Sequence, residues 1–188
     1  MVIVIIVVVV LILLAVFYYI AKRNGIISAR NRVDESWSGI DVQLKRRHDL
    51  VPNLVETVKG YASHESQVFE KVTQARAESM SATSVKDTAT AETKLTGALT
   101  DLRAVAENYP DLKATENFQQ LNRNLSELED EIQASRRIYN SNVQSYNTDI
   151  QQFPGSIIAN QGGFTARQYF EIEDKSERKP VAVSFDTK

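Results

Sequence analysis

The chain has 188 residues, the length of one ordinary domain with a modest appendage, and 22 Lys and Arg against 24 Asp and Glu leave a net charge of −2. That balance argues against a strong polyanion binder, so no nucleic-acid partner is expected. The absence of cysteine removes disulfides, thiol nucleophiles and cysteine-held metals, and two histidines, His48 and His64, leave little for histidine-based metal or triad chemistry.

From Val2 to Ile20 the sequence VIVIIVVVVLILLAVFYYI is wholly apolar or aromatic, and Lys or Arg appears only from Lys22 onward. A helix of that length rises about 28 Å, close to the ~30 Å hydrocarbon core of a bilayer. The Val and Ile content would suit a strand in water, but a lone strand in lipid leaves its backbone groups unsatisfied, so a membrane helix is expected. Tyr18 and Tyr19 fall where an interfacial aromatic belt belongs, with Lys22 and Arg23 following as cationic anchors. Arg30 and Arg32 come close behind, and the other flank carries only Met1. The positive-inside rule therefore puts the N-terminus outside and the bulk of the chain in the cytoplasm, as a single-pass protein of the inner (cell) membrane. A cleavable signal peptide is the alternative; the long apolar run, the missing charged n-region and the missing A-x-A-like site speak against it. Ala15 is the one small residue in the run, so there is no small-xxx-small face and any self-assembly falls to the soluble part.

Beyond the anchor the pattern is helix after helix. Val33, Trp37, Ile40 and Leu44 form the stripe of a first helix, expected to end at Lys45-Arg46-Arg47-His48, with Asp49 capping the next and Pro52 close behind. Asn24-Gly25 is either a kink or a stretch the helix traverses. A second helix carries Leu54, Val58, Tyr61, Val68, Val72 and Ala75 and fades near Met80; residues 79–93, rich in Ser, Thr and Ala, read as a flexible connection. A third carries Leu95, Ala98, Leu102, Val105 and Tyr109, and is interrupted at Tyr109-Pro110-Asp111. The fourth and longest runs through Phe118, Leu121, Leu125, Leu128, Ile132, Tyr139, Val143, Tyr146, Ile150 and Phe153. Phe153-Pro154-Gly155 ends it. The tail holds Ile157-Ile158-Ala159, Gly162-Gly163-Phe164 and Tyr169-Phe170, then Pro180 to Phe185, which alternates like a short strand.

The expected fold is all-α: an N-terminal transmembrane helix over residues 1–22, an up-and-down four-helix bundle over 23–153, and an irregular C-terminal tail over 154–188 that packs on the bundle or near the membrane. Helices one and three would point away from the bilayer. The 45–48 and 109–114 turns would then lie at the far tip, with the Ser/Thr connection near the membrane. The aromatics Phe164, Tyr169 and Phe170 either close the bottom of the bundle or lie in the membrane interface.

No catalytic constellation emerges. His64-Glu65 opens an H-E-x-x-H that fails at Val68, and neither a P-loop, G-x-G-x-x-G nor G-x-S-x-G occurs. Glu127, Glu129, Asp130 and Glu131 lie opposite Leu128 and Ile132 and read as a solvated face. No catalytic, metal or cofactor site is therefore assigned. Lys45, Arg46, Arg47, His48 and Asp49 are either a helix cap or a docking patch for a protein partner.

Several long segments resemble the LemA family of bacterial membrane proteins. They are residues 30–37 (RNRVDESW), 40–55 (IDVQLKRRHDLVPNLV), 58–61 (VKGY), 104–113 (AVAENYPDLK), 116–118 (ENF), 136–140 (RRIYN), Tyr146-Asn147, Phe153-Pro154 and Tyr169-Phe170. The resemblance implies a membrane helix followed by a cytoplasmic four-helix bundle, with no established enzymatic activity. The chain is also similar to the MamQ-like proteins of magnetosome membrane biogenesis, which implies a role in membrane organisation. Asn160-Gln161-Gly162-Gly163 departs from the family, whose members are more apolar there, and speaks against lipid insertion of that part of the tail.

The expected function is a non-catalytic, membrane-anchored helical scaffold that contacts lipid and assembles with itself or with an unidentified protein partner. The alternative is an adaptor or regulator that binds a membrane enzyme, transporter or sensor through the 45–55 turn.

Overall fold

A computed structural model describes residues 1–171, and every regular element among them is helical: α1 (Val2–Lys59), α2 (Ser66–Ser81), α3 (Val85–Glu107), α4 (Pro110–Ala114), α5 (Glu116–Gln151) and α6 (Gly155–Gly162). The strand expected over Pro180–Phe185 lies outside the described residues. The all-α fold is as expected, with the four bundle helices being the soluble part of α1 together with α2, α3 and α5.

α1 is one helix of 58 residues, about 87 Å long, passing through Asn24-Gly25 and Pro52 without interruption. The expected turn at Lys45-Arg46-Arg47-His48, with Asp49 as a cap, is therefore absent. Pro52 removes the N–H that would bond to the His48 carbonyl. Arg76 of α2 replaces that donor: its Nε lies 2.7 Å from the His48 oxygen, and the helix continues. The break comes instead at residues 60–65, so Tyr61, expected on the buried stripe, is exposed at the far end.

The 79–93 connection also shrinks. Only residues 82–84 are non-helical, because Ser84 accepts the Asp87 N–H at 3.0 Å and starts α3. Thr88, Thr90 and Thr93 then donate their hydroxyls to the carbonyls four residues back, which absorbs their polarity within the helix. This connection sits midway along the rod, next to His48, and not near the membrane.

Two apolar cores are stacked end to end. In the distal one, Val51, Leu54 and Val58 of α1 pack with Val72, Leu95, Leu102, Leu112, Phe118 and Leu125 in a true four-helix layer. In the proximal one, Ile26, Val33, Ile40 and Leu44 face Ile132, Tyr139, Val143 and Tyr146, covered by Ile158, Ala159 and Phe170. α2 is too short to reach this half, and α6 with the chain after it takes the missing place. The tail is thus less irregular than expected: Ile157-Ile158-Ala159 belongs to α6. Phe153, expected to close the α5 stripe, lies outside the helix and is 80% exposed.

Candidate functional site

Among the described residues the apolar run of α1 packs against nothing: the residues from Val2 to Ile20 are exposed, and the first buried side chain is Ile26. A 58-residue helix whose first third exposes an unbroken apolar surface is a membrane anchor fused to a bundle helix. Tyr18 and Tyr19 end the run, and Lys22 Nζ reaches Asp149 Oδ1 of α5 at 2.8 Å. Arg23 follows on the exposed surface.

Midway along the rod the five residues of the expected docking patch separate. Lys45, Arg46 and Asp49 are exposed; Arg47 and His48 are buried. Arg47 donates to Glu92 Oε2 at 3.2 Å and Thr96 Oγ1 at 2.8 Å, and lies 3.3 Å from Glu129 Oε2. His48 Nε2 is 2.8 Å from Glu92 Oε1 and 2.9 Å from Ser79 Oγ, and the Ser79 hydroxyl donates to the same Glu92 oxygen. One layer therefore ties all four bundle helices together. Burial alone would raise the Glu92 carboxyl; hydrogen bonds from His48 and Ser79, with the charges of Arg47 and His48, outweigh it and hold the carboxyl below the usual range. Glu92 escaped sequence reasoning because it stands in a Ser/Thr/Ala stretch with no apolar period.

Ser79, His48 and Glu92 are the residue types of a hydrolytic triad, but the geometry differs from one. A triad places serine and acid on opposite ring nitrogens, so that the acid orients the imidazole while the serine loses its proton. Here both bond to Nε2, and the serine hydroxyl points at the carboxylate. The layer is a structural clasp. The carboxylates of the supposed solvated face also take part, Glu129 with Arg47 and Glu131 with Arg46 at 2.8 Å. Beside them, Arg46, Asp49, Leu50, Asn53, Asn124, Glu127, Leu128 and Glu131 line a cleft of about 450 Å³ between α1 and α5.

Toward the membrane, α5 grips the chain that follows α6. Asn147 donates Nδ2–H to the Arg167 carbonyl at 2.9 Å and accepts the Arg167 N–H at 2.8 Å. Asn140 does the same with Phe170, at 3.1 and 2.9 Å. The Tyr146 and Tyr139 hydroxyls donate to the carbonyls of Thr165 and Gln168 at 3.0 and 2.8 Å. The dipeptide Tyr-Asn thus recurs seven residues apart and meets backbone groups three residues apart. Two helical turns rise about 10.5 Å, the reach of three extended residues. Burial pushes both phenols up against the opposing charge of Arg167, so they remain O–H donors.

The tail aromatics accordingly cover the bundle. Phe170 is buried with its ring 5.9 Å from Trp37 and under the Arg136 guanidinium, while Arg30 lies over Phe164. Tyr169 stays partly exposed.

The sequence profile of the LemA family matches residues 36–185. The chain is similar to the Protein LemA of Metamycoplasma hominis, at 30% identity over 74% of this chain and 64% of the relative. It is also similar to the Magnetosome protein MamQ 2 of Paramagnetospirillum magneticum, at 25% identity over 81% of this chain and 65% of that protein. The Magnetosome protein MamQ of Magnetospirillum gryphiswaldense matches at 24% identity over 80% and 65%. The chain spans slightly less than two thirds of the length of these relatives.

Proposed function

The chain belongs to the LemA family, and on that premise we propose that it is a non-catalytic scaffold, a helical rod held at the cytoplasmic face of the cell membrane that assembles with itself or with protein partners. The observation that carries this reading is α1, whose exposed apolar third continues without a break into the buried stripe of the bundle. Relatives named as magnetosome proteins favour an organising role. Lys22, Arg23, Arg30 and Arg32, clustered on the bundle side of the apolar run, support a cytoplasmic rod. On this reading residues 1–22 are the anchor, 23–153 the bundle, and 154–188 a tail that packs on it.

Protease added outside intact cells should leave the rod uncut, and cross-linking in native membranes at normal abundance should return dimers or larger species. Digestion of the rod would refute the orientation. Monomers alone would refute self-assembly.

The α1–α5 cleft favours a second reading, an adaptor for a membrane enzyme, transporter or sensor. The docking surface is then a helix face carrying Lys45, Arg46 and Asp49, in place of a 45–55 turn. Arg46→Glu should remove one co-purifying protein and keep the helical fold. An unchanged set of co-purifying proteins would sink this reading.

A further inference from the structure

α5 runs antiparallel to α1, and the Lys22–Asp149 pair fixes the register at the membrane end. Further out, Asn142 donates to the Arg32 carbonyl and Arg46 meets Glu131, pairs that slip from that register by three and six residues. Antiparallel helices change depth at equal rates, about 1.5 Å per residue. Two residues past Asp149, Gln151 is therefore level with Ile20 by the Lys22–Asp149 pair and with Arg23 by the Asn142–Arg32 pair, so the turn that follows stands at the end of the apolar run, between Tyr18 and Lys22. At that depth stands Phe153, 80% exposed and part of neither core.

α6 then climbs back along α1. A side chain at its first residue, Gly155, would meet the Asp149 carbonyl and lie 3.3 Å from Lys22 Cε, so the corner is pressed against the anchor. Ile158 and Ala159 turn into the proximal core, whereas Ile157 is half exposed on the outside.

We propose that this α5–α6 corner is a second membrane contact, with Phe153 dipping into the boundary between headgroups and acyl chains beside the tyrosine belt of α1, and Ile157 one turn shallower. Three features fit lipid as the occupant. The corner is continuous with the membrane-spanning surface of α1. Its depth falls at the end of the apolar run, at or within one helical turn of the Tyr18–Tyr19 belt, where aromatic rings are most at home. The side chains around it, Gln151, Gln152, Lys22 and Arg23, suit a headgroup layer, and Asp149 is neutralised by Lys22. A single helix leaves a rod free to swivel about its axis and lean, whereas a contact offset from that axis restrains both motions.

The natural absence of cysteine makes the test direct. Full-length chains carrying Phe153→Cys, Ile157→Cys or, at the distal end, Asn117→Cys would be labelled with an environment-sensitive nitrobenzoxadiazole dye. They would then be reconstituted in phosphatidylcholine/phosphatidylglycerol vesicles. All three positions are exposed, so the fold tolerates the label, and circular dichroism checks this. The label at 153 should be quenched several-fold more by a lipid spin-labelled near its headgroup than the label at 117. The label at 157 should be quenched less than that at 153, and aqueous iodide should quench 117 most. Equal iodide quenching at 153 and 117 would overturn the proposal. So would a label at 153 shielded from iodide yet untouched by the lipid quencher, which would mean that protein covers the corner.

Discussion

Arg47 and Glu92 are both nearly withdrawn from solvent and are joined across α1 and α3, so neither charge has water to fall back on. Removing one partner of such a pair leaves the other buried and costs about 3–5 kcal/mol. Arg47→Met should fall near the lower end, because His48 and Ser79 still bond Glu92, and a chemical denaturation midpoint would register the loss. Replacing Glu92 by Leu in the same chain should recover much of it, since a paired apolar replacement of a buried ion pair is often near neutral.

The acid response follows from the same carboxyl. Glu92 holds its proton less tightly folded than unfolded, so the unfolded chain binds more protons and stability rises with pH in that range. The contribution is complete above the ordinary glutamate value of about 4.3, fades as pH falls through the folded value, and is absent below it. Glu92→Gln should therefore lower stability at neutral pH and flatten the acid limb below about pH 4.3. Melting temperatures of the two proteins across pH 3–7 would converge at the acid end; parallel curves would exclude Glu92 as the source.

For a single element, the continuity of α1 depends on a donor from another helix. Arg76 stands where the Pro52 N–H would have been, and a charged donor to a carbonyl contributes about 1.5–3 kcal/mol. Arg76→Met should cost about that much, and much less in a Pro52→Ala background, where the helix supplies its own N–H. A double-mutant cycle with no coupling would refute the substitution of one donor for the other. The pair also marks where legibility in the sequence ended. α5 could be read almost residue by residue because one amphipathic stripe runs its whole length. The α1–α2 boundary could not, since Leu54, Val58, Tyr61, Val68 and Val72 keep helical spacing across the real break at 60–65. Pro52 looked like the break, and the residue that repairs it lies far along the chain. The Tyr-Asn repeat escaped sequence reasoning, because what it binds is main chain, which leaves no side-chain pattern to match.

Across the whole molecule, the two stacked cores account for the rod without help from the bilayer. No side chain before Ile26 is buried, and the ion pair that closes the proximal end uses Lys22. Removing residues 1–21 therefore deletes lipid-facing surface and no core contact. The shortened protein should be soluble, keep its helical circular dichroism, and melt cooperatively within a few degrees of the full chain in detergent. Its melting should stay sensitive to Arg47→Met, because the clasp lies about 38 Å along α1 from Lys22. A shortened chain that lost its cooperative transition would mean that the bilayer, and not the packing of α1 against α5, sets the stability of the proximal half. The Phe153 corner would then be part of what holds the rod together as well as what orients it.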